Sequence, residues 1–343
     1  MADYSKEITT ASFPEKPKEL STIETLISKL YFVGDFVYKT KKPVNLGFCD
    51  FSTLKLRKKF CFEELKKNKI LSGGLYLGVV PVRTEIGKPA IFNGKMGVVV
   101  DYAVKMRRLA ESDKFSNLTG VPISARVIES LAENLGKFHE TLKAQRSFWG
   151  PNRVRFFCNQ NFLQMSEYVP GDLPKDLFNS VKTSTLEYLN NHQDLITERV
   201  RSGRVKDGHG DLHTGNIFLV KRGGTRVPII FDSLEFNKDL SCCDVAAELA
   251  FLSMDLKFHG RQDLAKLFIG CYLRKSHDLE MVKTGLLDFY ESYRACVRAK
   301  IAIMSKGGAK SKSRKTELVL EACQYLKLAS QTVYNSLHKS FYE

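Results

Sequence analysis

The segment His209-Gly210-Asp211-Leu212-His213-Thr214-Gly215-Asn216 constrains this chain more than any other. Apolar Ile217-Phe218-Leu219-Val220 follows it, then Lys-Arg-Gly-Gly, then Val227-Pro228-Ile229-Ile230-Phe231-Asp232. Two short apolar runs around a Gly-Gly pair are the pattern of a β-hairpin. A hairpin here fixes where Asp232 sits relative to Asp211 and Asn216. The island of residues 205–236 is β-rich, and its flanks are not.

Behind residue 107 the pattern is helical. In PISARVIESLAENLGKFHETL, Val127, Leu131, Leu135, Phe138 and Leu142 recur at steps of four, four, three and four, which predicts an amphipathic helix just after Pro122. Further helices are expected near 176–201, 243–258, 261–276, 280–304 and 315–340. Asp244, Glu248 and Asp255 flank the stripe Val245, Leu249 and Leu252, and read as cap and solvent-face residues.

The front of the chain is strand-like. Residues 1–21 read as a loose lead-in, and two β-prone runs around Gly34-Asp35 predict a hairpin. Strand alternation places Lys39 and Lys41 on one face and Tyr38 on the other. Residues 51–71 predict a helix with Leu54, Phe60 and Leu65 as a rough apolar stripe, capped by Asp50, Ser52 or Thr53. LYLGVVPV and MGVVVDYAVKM read as further strands. The expectation is an α+β fold: a small antiparallel β-sheet lobe over 22–106, and a larger, mainly helical lobe over 107–343 that carries the loop 209–216 and Asp232.

Composition narrows the function classes. No run approaches eighteen apolar residues, so no membrane span is expected. The first twenty residues lack the apolar core of a secretory signal, which points to a cytoplasmic protein. Eight scattered cysteines without a C-x-x-C read as buried, reduced thiols and not as a zinc site. The formal charge of +15 is concentrated in local runs, and SKGGAKSKSRK (305–315), with five basic residues and no acid, reads as a mobile basic loop. Basic residues are not interleaved with aromatics, so nucleic acid is not an expected partner. Steeply salt-dependent oligonucleotide binding would be the signature of that reading.

The polar loop suits phosphoryl transfer, which needs positioning and charge neutralisation more than covalent chemistry. A carboxylate must orient the incoming hydroxyl and accept its proton, while an amide oxygen and a second carboxylate hold magnesium against the phosphates. Asp211 and Asn216 are five residues apart, the spacing of base and metal-binding Asn in the kinase catalytic loop.

H-G-D-L-H-T-G-N followed by I-I-F-D resembles the aminoglycoside phosphotransferase and choline-kinase-like superfamily, which has the two-lobed protein-kinase-like fold. The likeness extends through VYKTKKPV, FCFEELKKN, LYLGVV, FDSLEF, AAELAFLSMDL and FYESYRACVRAK, from about residue 22 to 304, to an uncharacterised bacterial branch. The resemblance implies ATP and Mg2+ as cofactors, with Asp211 as catalytic base and Asn216 and Asp232 as magnesium ligands. It implies Lys39 on the α- and β-phosphates and Glu64 as its partner, Glu63 being the lesser candidate. His209 and Gly210 would shape the loop, His213 would support it, and adenine would lie against a link between lobes, Asp101 to Met106. Arg294 and Arg298, on one helical face, would meet an anionic acceptor or bridge carboxylates.

There are departures. No G-x-G-x-x-G precedes Lys39, where a lone Gly34 sits in the hairpin turn as suits this branch. Ser-Leu in place of Phe-Gly follows Asp232 and no A-P-E follows, and both of these absences count against a protein kinase. Many relatives carry an Arg shortly before the position of Asp244, where this chain has Leu-Ser-Cys-Cys. Some append a P-loop domain, whereas this chain has no G-x-x-x-x-G-K-[ST]. The expected function is transfer of the γ-phosphate of ATP to a hydroxyl of a small-molecule acceptor. The alternatives are a nucleotide-binding regulator with little turnover and a basic nucleic-acid-binding protein.

Overall fold

The computed structural model describes residues 8–85, 90–118 and 120–338. The strands of the front are β1 (Ser21–Glu24), β2 (Ser28–Val33), β3 (Phe36–Lys41), β4 (Tyr76–Thr84), β5 (Ile91–Phe92) and β6 (Val98–Arg107), with α1 (Leu54–Lys69) between β3 and β4. Then come α2 (Ala125–Thr141), α3 (Pro151–Ser166), α4 (Lys175–Asn191), α5 (Gln193–Arg201) and β7 (Val205–Asp207). The hairpin β8 (Ile217–Arg222) and β9 (Thr225–Ile230) follows, with α6 (Lys238–Ser241) and β10 (Cys242–Asp244). The remainder is α7 (Val245–Phe258), α8 (Gln262–Ser276), α9 (Glu280–Lys283), α10 (Leu286–Ser305) and α11 (Lys312–His338). The described residues divide into two compact units: one holds those up to Asn117 together with Asn216–Lys238, the other those of Leu118–Gly215 and from Asp239 on.

The first unit is built on an antiparallel sheet of order β1-β2-β3-β6-β4-β5. Gly34, at φ +54°, takes the first of two turn positions between Val33 and Phe36, where a tight hairpin demands positive φ. One sheet face buries Phe13, Tyr31, Tyr38, Val82 and Phe92. Phe13 stacks on Phe92 at 4.5 Å, and Glu15 accepts the Tyr38 hydroxyl at 2.9 Å. That corrects the loose lead-in expected for 1–21: within its described part, an aromatic ring and a carboxylate close this face. The other face packs Val37, Val104 and Met106 against Cys61 of α1 and against Phe218 and Ile229 of the β8–β9 hairpin. Sequence order puts that hairpin with the helical lobe, whereas packing groups it with the sheet.

Helix α1 begins where expected, with Thr53 accepting the Leu56 N–H. Its buried face is not the apolar stripe. Arg57, Cys61, Glu64 and Asn68 are buried, while Leu54, Phe60 and Leu65 are half-buried. Polar partners on the sheet and hairpin stabilise this face in place of apolar packing: Arg57 Nε donates to Asp101 Oδ1 at 2.8 Å. The hairpin turn is Gly223-Gly224, at φ +55° and +81°.

The second unit is mainly helical. Twelve consecutive residues of α7, Val245 to Leu256, are buried, so this helix shows no amphipathic stripe. Helix α10 packs against α3, α7 and α11. Helix α3 is absent from the sequence expectation although Pro151 at its first turn and buried Val154, Cys158, Phe162 and Met165 carry a helical spacing. Two expected helices are each divided: 176–201 at His192, with non-helical φ −124° and ψ 27°, and 280–304 at Gly285, φ +71°. The basic stretch 305–315 is also not the expected loop. A 3-10 turn spans Lys306–Gly308, Lys306 pairs with Asp172 at 2.6 Å, and α11 starts at Lys312, with Ser311 Oγ accepting the Arg314 N–H.

Candidate active site

In the first unit, β3 and α1 converge on a buried ionic cluster. Lys39 and Lys41 share one strand face, as alternation requires, and both reach Glu64 of α1. Lys39 Nζ lies 3.0 Å from Glu64 Oε1 and 2.5 Å from Asp232 Oδ1. Lys41 Nζ lies 2.8 Å from Glu64 Oε2 and also pairs with Glu235. Burial alone would lower the Lys39 ammonium, but Asp232 and Glu64 more than offset this and hold it well above its usual range. Burial likewise opposes the Glu64 charge, yet Lys39 and Lys41 keep this carboxyl below the ordinary glutamate range. Burial and the nearby Glu64 push Glu235 up. Glu63, the lesser candidate, is exposed.

The segment after β9 is held residue by residue. The Asp232 N–H donates to the Tyr76 hydroxyl (3.3 Å), the Ser233 N–H to Asn68 Oδ1 (2.9 Å), and Lys67 Nζ to the Leu234 carbonyl (2.7 Å). Asp232 has φ +63°, a left-handed conformation that costs free energy in a non-glycine residue and is kept only where surroundings impose it. Its side chain is 44 % exposed, and Oδ2 has no partner among the described residues. The Phe231 N–H donates to the Asn216 carbonyl at 3.1 Å, so Asn216 faces Phe231, the residue before Asp232, at the open end of the hairpin. A carboxylate oxygen and an amide oxygen are both hard donors of the kind magnesium takes. Sequence reasoning missed Lys41 and Glu235 as a pair. Their signal was the alternation that put Lys41 beside Lys39.

The second unit carries the loop 209–215. The Gly210 N–H donates to Glu248 Oε2 at 3.2 Å, and Gly210 sits at φ +83°, open only to glycine at little cost. His209 is fully buried, and its Nδ1 accepts the Asp211 N–H at 3.3 Å. His213 Nδ1 accepts the Gly215 N–H at 3.1 Å, which leaves the Nε2 proton facing Asp211 Oδ2 at 3.5 Å. Burial opposes ionisation of Asp211, but His213, His209 and Arg294 outweigh it and hold the carboxyl well below its usual range. Asp211 is therefore an ionised acceptor at neutral pH.

Helix α7 supports this loop from below, which corrects the solvent-face reading. Glu248 and Asp255 are 1 % and 2 % exposed. Asp255 Oδ2 accepts both the N–H and the hydroxyl of Thr214 (2.9 and 2.5 Å). Glu248 Oε1 meets His139 Nε2 at 2.9 Å, and His139 Nδ1 meets the Tyr272 hydroxyl at 2.8 Å. A Cβ on Gly208 would meet Glu248 Oε2 at 2.1 Å, so only glycine fits there. Asp244 caps α7 and is gripped by Arg199 of α5 at 2.5 and 2.7 Å. A guanidinium thus does meet Asp244, supplied from α5 and not from Leu-Ser-Cys-Cys.

The structure corrects one premise. Asp101 to Met106 is not a connecting segment but the interior of β6. Asp101 is bound to Arg57, and Met106 is packed into the core beside Val37.

No protein-family model matches the sequence. Uncharacterised proteins of Mycobacterium tuberculosis and Mycobacterium bovis are 30 % identical over 315 residues, covering 90 % of this chain and 58 % of theirs. The chain therefore spans little more than half the length of these relatives. Among solved structures, APH(2")-IIia in its GDP and kanamycin complex is similar with a TM-score of 0.57 at 12 % identity, over 96 % of this chain and 99 % of that one. Ethanolamine kinase of Plasmodium vivax follows at 0.53 and 12 %, over 91 % and 81 %. Choline kinase of Cryptosporidium parvum gives 0.52 at 11 %, over 96 % and 92 %. The α+β fold is similar to that of these choline kinase, ethanolamine kinase and aminoglycoside phosphotransferase structures.

Proposed function

We propose that the protein is an ATP- and Mg2+-dependent phosphotransferase that moves the γ-phosphate to a hydroxyl of a small-molecule acceptor. The observation that carries this reading is the Lys39–Glu64–Asp232 cluster on the kinase-like fold: a lysine on the third strand, its glutamate on α1, and a partly exposed left-handed carboxylate after the hairpin. Glu64 orients Lys39, whose ammonium can leave Asp232 for the α- and β-phosphates. Asn216 and Asp232 would hold magnesium, which when bound neutralises phosphate charge. Asp211 accepts the acceptor's hydroxyl proton as its oxygen bonds to the γ-phosphorus and the bond to the β-phosphate oxygen breaks. With a carboxyl this acidic, Asp211 orients the hydroxyl and takes the proton late, when the transferring group has acidified it. His213, His209 and the α7 carboxylates hold the loop that presents it.

Thermal unfolding with ATP, with and without magnesium, tests the reading on wild type and Asp232→Ala. Ligand at a hundred times its Kd stabilises by about 2.7 kcal/mol. A magnesium-dependent rise in Tm that Asp232→Ala loses supports the reading. No shift at millimolar nucleotide overturns it.

A further inference from the structure

Helix α10 carries two arginines toward the surroundings of Asp211, and they are used differently. Arg294 is engaged by the fold: its Nε donates to the Ala247 carbonyl at 3.1 Å, and its guanidinium lies 4.6 Å from the centre of the Phe251 ring. Arg298 is less committed. Its Nε donates to the Tyr325 hydroxyl at 3.3 Å, Nη2 stands 4.0 Å from Glu321 Oε1, and Nη1 has no partner among the described residues. Arg298 opens onto a cavity of about 280 Å3 between α10 and the start of α11, lined also by Ser305, Gly308, Ala309, Arg314 and Glu321. Arg314 Nη1 pairs with Glu317 at 3.0 Å, so each guanidinium faces one carboxylate and the excess positive charge comes from the lysines nearby. Lys310, Lys312 and Lys315 follow in the adjoining sequence.

We propose that this cavity receives the anionic group, a carboxylate or a phosphate monoester, of the hydroxyl compound that the enzyme phosphorylates. The inference rests on the phosphotransferase reading and adds the substrate class: a small anionic hydroxyl compound such as a hydroxy acid or a sugar phosphate. The volume lies at the low end of small-molecule pockets, roughly 300 Å3 and upward, which favours a compact acceptor. A guanidinium edge matches either oxyanion with two parallel hydrogen bonds. A polycationic acceptor would be repelled by the same wall. Phe251, which meets the guanidinium of Arg294 one turn before Arg298, lies 5.3 Å ring to ring from His213, and His213 Nε2 lies 3.5 Å from Asp211 Oδ2. Both the cavity and Asp211 belong to the second unit.

Calorimetric titration of the full chain at constant ionic strength tests this with four probes: glycerol 3-phosphate, glycerate, glycerol and choline. The two anions are expected to bind and the neutral and cationic probes are not, with the tighter anion identifying the headgroup. Arg298→Gln weakens the anion by about tenfold or more, the loss of one charge-assisted contact. Arg314→Gln, at a 55 % exposed position whose side-chain partner is Glu317, weakens it in the same direction and carries the test if the Arg298 variant is unstable. Equal binding of all four probes, no binding of either anion, or unchanged anion affinity in Arg314→Gln and in a folded Arg298→Gln overturns the inference. Magnesium-ATP titrated into the same protein separates the two readings. Nucleotide binding without anion binding sinks this proposal alone, and anion binding without nucleotide sinks the phosphotransferase reading.

Discussion

Lys41 and Lys39 stand two residues apart on one strand face, yet their removal is predicted to have opposite consequences. Lys41 is 2 % exposed and lies between Glu64 and Glu235, at 0 % and 4 %. Lys41→Met leaves two buried carboxylates with Lys39 as the nearby cation. Breaking a buried ion pair by removing one partner costs about 3–5 kcal/mol. Lys39→Met is milder, because Asp232 is already 44 % exposed and can be hydrated, and Glu64 keeps Lys41. A pair so open to water is worth about 1 kcal/mol. Urea unfolding followed by circular dichroism at pH 7 is expected to show Lys41→Met destabilised by about 3–5 kcal/mol and Lys39→Met by about 1 kcal/mol. Magnesium-ATP binding is expected to show the reverse order, with the larger loss in Lys39→Met. The Lys41→Met penalty shrinks as pH falls, because Glu235, already pushed above the ordinary glutamate range, takes a proton. A Lys41→Met protein within about 1 kcal/mol of wild type, or a Lys39→Met protein less stable than it, would refute the reasoning.

Two further outcomes follow from the loop 209–215. Burial would lower His213, but Asp211 raises it above the usual histidine value of 6.5. A raised value means stabilisation that is complete below pH 6.5 and lost as pH rises through the folded value; imidazole NMR titration of wild type and Asp211→Asn should show the His213 midpoint fall in the variant. Gly208→Ala drives a methyl into Glu248 Oε2, so it should cost about 1–3 kcal/mol and reduce phosphate transfer, while a variant as stable and active as wild type would mean Glu248 does not anchor the loop.

Much of this protein is local, and what is local is legible in the sequence. The Gly34 and Gly223-Gly224 hairpins, the Thr53 cap and the α2 stripe depend on neighbours within a few residues, so spacing and turn chemistry determine them. The same holds for the shared face of Lys39 and Lys41. Tertiary structure decided what depends on partners distant in the chain. Only folding shows that α1 buries Arg57, Glu64 and Asn68, because their partners Asp101, Lys39, Lys41 and Ser233 come from other elements. Glu248 and Asp255 look like solvent-facing acids until Gly210, His139 and Thr214 are brought to them. Sequence polarity predicts exposure because burying an unpaired charge is costly, and it fails here because each of these charges is paired on burial.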